Sequence, residues 1–249
     1  MMRFALIGLA IIGTAVLSYL GLSEKKDSVA KRVFTSNDMV WCGLDFTKTH
    51  FIGTFDMGMG IDPADGNDLV DKWIPAWNNL MAAEQDNFNL KRSFRKCCVF
   101  YDMTAVNQLN KNIDPDKLLN SSETQISKAT IQEMVKRYSG LEKKEGLGLV
   151  FIIESFNKNR QTANLYVTFF DIETKKVLLT EFMAGRPVGF GLRNYWAGAI
   201  KEILDWIDFY EYNKWKIKYY NSPDDEPENV LSRLPENKIS GSRLYNCFH

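Results

Sequence analysis

The chain has 249 residues, of which 45% are hydrophobic and 13% aromatic, so it carries enough apolar side chain for a folded core and is not a disordered polymer. Its 31 lysines and arginines balance 31 aspartates and glutamates, so no global basic field exists to attract nucleic acid, and no nucleic-acid partner is expected. The length fits one large domain with additions.

The first segment predicts membrane targeting. Residues 4–22 contain no charged side chain, and only Met1, Met2 and Arg3 precede them. At about 1.5 Å of rise per residue, such a run nearly spans a hydrocarbon core of roughly 30 Å. Residues 1–22 are therefore predicted to be a signal peptide or an N-terminal membrane anchor, and the short basic start favours export of a periplasmic or membrane-anchored protein.

The charges after this run favour the opposite orientation. Lys25, Lys26, Lys31 and Arg32 follow it, and positive charge prefers the cytoplasmic side of a membrane. An inner-membrane anchor with a cytoplasmic domain therefore stays open as the alternative. No cysteine follows the run to accept lipid, which excludes a lipoprotein of the usual kind.

The four cysteines, Cys42, Cys97, Cys98 and Cys247, lack the spacing of a tetrahedral zinc site. No structural metal and no cofactor is expected. In an oxidising compartment Cys42 could pair with Cys97 or Cys98 on neighbouring strands, and the competing interpretation is buried free thiols.

The rest of the chain divides into a polar linker (23–38), an α/β domain (39–220) and a C-terminal extension (221–249). In the domain, residues 39–53 predict extended chain, and a glycine-rich loop then leads to an amphipathic helix from Asp68 to Met81. The run Cys97–Tyr101 is typical of a strand buried on both faces.

The second half of the domain alternates strands and helices. An amphipathic pattern predicts a helix over Thr124–Tyr138 and a closing helix over Tyr195–Tyr212. An antiparallel meander is predicted from three strands, Leu147–Ser155, Asn164–Ile172 and Lys176–Phe182. Trp215, Ile217 and Tyr219 alternate with lysines, the pattern of an edge strand. The predicted fold class is α/β (α+β), a single mixed sheet with this meander and about three helices packed on it.

The hairpin segment Leu165–Leu178 carries Asp171, Thr174, Val177 and Leu178 in the order "strand, Asp-x-x-Thr-Gly-x-Val-Leu", with Lys175 where glycine is usual. With the order of elements over residues 39–212, it resembles the periplasmic domains grouped around the TolB N-terminal domain, the curli-secretion lipoproteins and the penicillin-binding-protein activator lipoproteins. The resemblance implies a non-enzymatic domain that docks on envelope partners.

The sequence holds none of the phosphate-loop, zinc-protease or esterase signatures, and its only histidines are His50 and His249. No catalytic residue is therefore assigned, and a non-catalytic role is favoured. The alternative is an envelope hydrolase or small-ligand-binding protein that uses Asp45, His50 and Asp56, and it predicts that these side chains converge in one cleft.

The best candidates for partner binding are Arg186, Arg193, Tyr195 and Trp196, in the loop before the closing helix, because arginine and aromatic residues form binding hot spots. The competing interpretation places Trp196 in the core and the arginines in solvent. The predicted function is a non-catalytic, periplasmic protein-binding domain of the cell envelope. It would have an envelope protein partner, and it would contact the membrane through its N-terminal segment if that segment is not cleaved.

Overall fold

A computed structural model of the chain describes residues 29–55 and 63–220. The predicted signal or anchor segment, Asp56 and the C-terminal extension lie outside the described residues. Within the two described ranges, no helix is long and apolar enough to cross a membrane.

The described helices, in chain order, are α1 (Lys31–Thr35), α2 (Gly66–Asp68), α3 (Ile74–Ala83), α4 (Leu90–Ser93), α5 (Thr104–Asn110), α6 (Lys128–Lys136), α7 (Gly191–Trp206) and α8 (Tyr212–Tyr219). The π-helical turns Leu69–Trp73 and Ile207–Glu211 join α2 to α3 and α7 to α8, and a 3-10 turn covers Pro115–Lys117. The strands are β1 (Asp38–Asp45), β2 (His50–Ile52), β3 (Cys98–Tyr101), β4 (Leu119–Asn120), β5 (Leu147–Asn157), β6 (Thr162–Asp171) and β7 (Val177–Gly185).

These strands form one mixed sheet of seven strands within the described residues. One edge of β5 pairs in parallel with β1 and then, further along, with β2; β3 and β4 add to these in parallel. The other edge of β5 pairs antiparallel with β6, which pairs antiparallel with β7. The mixed α/β class is confirmed. The sheet as a whole is not an antiparallel meander, because four of its six pairings are parallel.

Helices cover both faces of the sheet, which explains why residues 147–153 of its central strand, β5, contain no polar side chain. On β5, Leu149 and Phe151 belong to the core shared with α3, α4 and α7. Val150 and Ile152 point to the opposite face and belong to the core shared with α5 and α6. All eleven residues of β5 are buried, as expected for a strand between two helical layers.

The number of helices is larger than the three predicted. The helix predicted from Asp68 is present as α2, a π turn and α3, and the helix predicted over Thr124–Tyr138 is present as the shorter α6. The helices α1, α4 and α5 were not predicted from the sequence. The edge strand predicted at Trp215–Tyr219 is wrong, because this segment is α8. Tyr212 and Trp215 are its buried residues, three positions apart as in a helix, and Ile217 is exposed.

Part of the predicted linker belongs to the folded domain. Val33 of α1 is buried in the core, and the ammonium group of Lys96 donates hydrogen bonds to the carbonyl oxygens of Val33 (2.6 Å) and Ser36 (2.7 Å). These bonds satisfy carbonyl groups at and just beyond the end of α1. The domain therefore begins before residue 39.

The run Cys97–Tyr101 does not form a strand buried on both faces, because β3 is an edge strand with Phe100 exposed. Of the two interpretations of Cys42, the buried free thiol is confirmed and the disulfide to Cys97 or Cys98 is wrong; Cys97 is free as well and is partly exposed. Cys98 is disulfide-bonded, so its partner is not Cys42. Burial raises the pKa of the Cys42 thiol far above its usual range, which keeps it neutral.

Candidate interaction surface

The loop of residues 186–190 joins β7 to α7 at the carboxyl end of β5. The register places it there, since Gly185 pairs with Ala163, which pairs with Phe156 near the end of β5. In open α/β sheets, this edge is where ligands and partners usually bind. The loop therefore lies where the topology favours a binding site.

The backbone of this loop is held tightly against α7. A Cβ atom added to Gly198 of α7 would lie 2.0 Å from the carbonyl oxygen of Val188, so only glycine lets the loop approach so closely. Gly189 has a φ of +140°, and an added Cβ there would lie 2.8 Å from the carbonyl oxygen of Asn194. Pro187 is buried and has a fixed φ. The loop is thus fixed in one conformation.

Two apolar side chains project from this fixed backbone into solvent. Phe190 is 87% exposed and Val188 is 70% exposed. Adjacent exposed apolar side chains commonly mark an interaction site. Neither residue was among the predicted binding residues, although a proline followed by apolar residues that alternate with glycine is a pattern that could have indicated them.

The two arginines predicted to bind a partner lie at the ends of this loop. The Arg186 guanidinium is 3.3 Å from the carboxylate of Glu202, and its side chain remains 83% exposed. Arg193 is exposed and its Nε donates to the side-chain oxygen of Asn194 at 3.0 Å. Its carbonyl oxygen accepts a bond from the indole of Trp77 at 3.0 Å, which fixes its backbone.

The two predicted aromatic residues have different environments. Tyr195 is half-buried, and the Lys158 ammonium lies 3.9 Å from its ring centroid, a cation–π contact at the surface. Trp196 is fully buried, and its ring stacks on Phe156 at 4.4 Å. Trp196 therefore belongs to the core and cannot contact a partner. We define the candidate interaction surface by its exposed or half-buried side chains: Lys158, Arg186, Val188, Phe190, Arg193 and Tyr195.

Asp45 and His50, two residues of the alternative hydrolase site, have separate environments. Asp45 is 1% exposed and accepts hydrogen bonds from the Tyr138 hydroxyl (2.6 Å) and the Thr47 amide (2.8 Å). Burial, and then the charge of Asp45, raise the pKa of Tyr138 well above its usual range, so the hydroxyl stays a donor. A buried, satisfied carboxylate has no room for a substrate.

His50 instead is the first residue of β2, where it pairs with Ser155 of β5 and is partly exposed. Its Nδ1 is 3.1 Å from the Ser122 carbonyl oxygen and 3.3 Å from the Thr124 hydroxyl. It therefore shares no hydrogen-bonding partner with Asp45 in the described part of the chain.

No group of three His, Cys, Asp or Glu side chains in residues 29–55 and 63–220 is arranged to hold a metal ion. No family model, curated protein or solved structure matches the chain, so its function has to be inferred from the surface described above.

Proposed function

We propose that the chain is a non-catalytic interaction domain of the cell envelope, delivered by residues 1–22, that binds an envelope protein through the candidate interaction surface. The observation that carries this proposal is the 87% exposure of Phe190 on a backbone held in place by Gly198. The resemblance to the TolB N-terminal domain and the two lipoprotein families supports the same assignment, with a periplasmic location.

The fixed loop makes Phe190 an efficient anchor for a partner. Fully burying a phenylalanine side chain stabilises a complex by roughly 1.5–3 kcal/mol. Ordering a flexible loop would offset much of this gain, but the contacts of Val188 with Gly198 mean that little ordering remains to be done. An aromatic side chain beside arginines is the usual composition of a binding hot spot.

The charge around Phe190 defines the chemistry of the partner. Arg186 and Arg193 flank the apolar pair along the chain, and the Lys158 ammonium lies over the ring of Tyr195. The Arg186 guanidinium pairs with the carboxylate of Glu202. A partner with an apolar pocket rimmed by carboxylates fits this surface, because opposite charges at a rim guide association and exclude wrong partners.

Crosslinked pull-down from intact envelopes, followed by mass spectrometry, tests the proposal. The native chain is compared with the double variant Val188→Ser/Phe190→Ser and with the control Phe182→Ser, whose side chain is 48% exposed on β7, outside the candidate interaction surface. We expect the native chain and the control to recover the same envelope protein, and the double variant to recover at least about 10-fold less of it. Equal recovery by all three chains, or no envelope protein with the native chain, would contradict the proposal.

A further inference from the structure

One side of the domain is strongly basic although the whole chain has no net charge. Residues 29–37, 90–96 and 206–220 together carry nine lysines and arginines and two carboxylates, a net charge of +7. Three further carboxylates from neighbouring elements pair with this group and lower its net charge to +4: Asp171, Glu181 and Asp205. We call these three segments the basic side.

The three segments pack directly on one another. The Phe34 and Tyr212 rings are 5.5 Å apart, which joins α1 to α8. The Arg95 guanidinium, just after α4, lies 5.5 Å from the centroid of the Tyr212 ring. Arg92 also pairs with Asp208 at 2.8 Å. The positive charge is thus concentrated on one surface of the fold.

This surface includes α1, the first described helix after the predicted membrane segment. The uncharged run ends at residue 22, and the described chain begins at residue 29, so the connection between them spans at most roughly 25 Å. Residue 29 leads directly into α1, and the Lys31 ammonium lies 5.5 Å from the Tyr220 ring centroid at the end of α8. If the run is in a bilayer, α8 must lie near the surface of that bilayer.

The outer face of this helical region combines apolar and basic side chains. Phe209, Tyr210 and Ile217 are exposed apolar residues, and Lys214 and Lys216 are exposed between them. α8 itself contains three lysines and no carboxylate. Aromatic side chains with neighbouring lysines are the composition that favours the interface between water and lipid.

We propose that this face, defined by Phe209, Tyr210, Lys214, Lys216 and Ile217, lies on a bilayer surface containing anionic phospholipid. The inference rests on the proposed function, because it needs residues 4–22 to remain in the membrane. Basic residues are attracted to the surface of an anionic bilayer, so the net charge of the basic side favours this orientation of the domain.

The same geometry directs the candidate interaction surface away from this contact. α7, the π turn and α8 form one helical rod from Gly191 to Tyr219, since the residues that join them keep right-handed helical angles. Such a rod is roughly 40 Å long at 1.5 Å per residue. Phe190 precedes its first residue, and the tethered α1 packs beside its last turns.

Photo-crosslinking of the full chain in vesicles tests the inference. A benzophenone-bearing phenylalanine replaces Phe209 or, in the matched control, Phe190. Each protein is reconstituted into two kinds of vesicle, one that contains phosphatidylglycerol and one made of phosphatidylcholine alone. In phosphatidylglycerol vesicles we expect at least about 10-fold more lipid adduct from position 209 than from position 190, because only position 209 faces lipid. Phosphatidylcholine vesicles, or adding Lys214→Glu and Lys216→Glu, should reduce this adduct several-fold.

Three outcomes would overturn the inference. Equal lipid adducts from both positions would remove the proposed orientation. A protein adduct instead of a lipid adduct at position 209 would show that this face binds protein. A chain that does not remain with the vesicles would show that residues 4–22 do not anchor it in a membrane. If the lipid adduct is absent but the pull-down still recovers the partner, the inference fails and the proposed function stands.

Discussion

Phe190 and Phe209 have nearly the same exposure, 87% and 82%, but their surroundings differ. Phe190 projects from a loop fixed against Gly198, at the edge of the sheet where β5 ends. Phe209 lies on a helical turn within the basic side, which also contains α1, the first described helix after the predicted membrane segment. Exposure alone identifies both residues as candidates for binding. Their surroundings distinguish the proposed partners, which are an envelope protein at Phe190 and an anionic bilayer at Phe209.

The largest expected effect is on the free energy of unfolding. It distinguishes Trp196, which packs in the core, from Phe190, which is proposed to bind a partner. Trp196→Ala should lower the free energy of unfolding by about 3–5 kcal/mol, because it removes a fully buried ring stacked on Phe156. Phe190→Ala, the control, should change it by less than about 0.5 kcal/mol. Denaturant unfolding measures both. A small effect at Trp196 would contradict its place in the core.

A smaller effect concerns the hydrogen bonds that join Lys96 to the end of α1. Burial lowers the pKa of Lys96 to about 8, so between about pH 8 and pH 9.5 the unfolded chain binds a proton that the folded chain has lost. The contribution of Lys96 to the free energy of unfolding should therefore increase with pH over that window, by roughly 1–2 kcal/mol. The buried Cys42 thiol acts in the opposite direction from about pH 8.5 upward, and the tyrosines with raised pKa values do so nearer pH 10, so the contribution of Lys96 is the difference between chains with and without it.

Lys96→Met tests this dependence. The variant should be less stable at every pH, since it leaves the Val33 and Ser36 carbonyl groups without their donor. Between about pH 8 and pH 9.5 the slope of its stability against pH should be more negative than that of the native chain, because the contribution of Lys96 is gone and that of Cys42 remains. Chemical unfolding at a series of pH values gives both quantities. An unchanged pH slope in the variant would mean that Lys96 does not titrate in this range.

The smallest effect lies in the hairpin that carries the family resemblance. Lys175 has a φ of +59°, a left-handed conformation that glycine adopts without strain. Lys175→Gly should therefore stabilise the chain by roughly 0.5–1 kcal/mol. Lys176→Gly, at the next position, is the control and should destabilise it. If both substitutions destabilise the chain by the same amount, the strain assigned to residue 175 is absent.

Local patterns in the sequence predicted the elements whose own residues determine them. The strands near Leu147, Asn164 and Lys176 were predicted because hydrophobic runs and polar turns are local signals, and the structure contains β5, β6 and β7 there. The parallel pairing of β5 with β1 and β2 depends on contacts between distant residues. No local pattern encodes these contacts, so the overall topology was not predicted.

The incorrect predictions have similar physical causes. In Trp215–Tyr219, alternation suggested a strand, but the residues continue the rod that begins at Gly191, and packing of Tyr212 and Trp215 decides the helix. At the candidate surface, Arg186 and Arg193 were predicted from residue type. Val188 and Phe190 were missed because their exposure depends on the close approach of the loop to Gly198, which is a tertiary contact.

The most direct test of the envelope assignment is fractionation of cells that produce the full chain, with determination of its N-terminus. We expect the protein in the membrane or exported fraction, with residues 4–22 embedded or removed, because an uncharged run of this length partitions into a bilayer. A freely cytosolic protein that retains Met1 would contradict both the location and the function proposed for it.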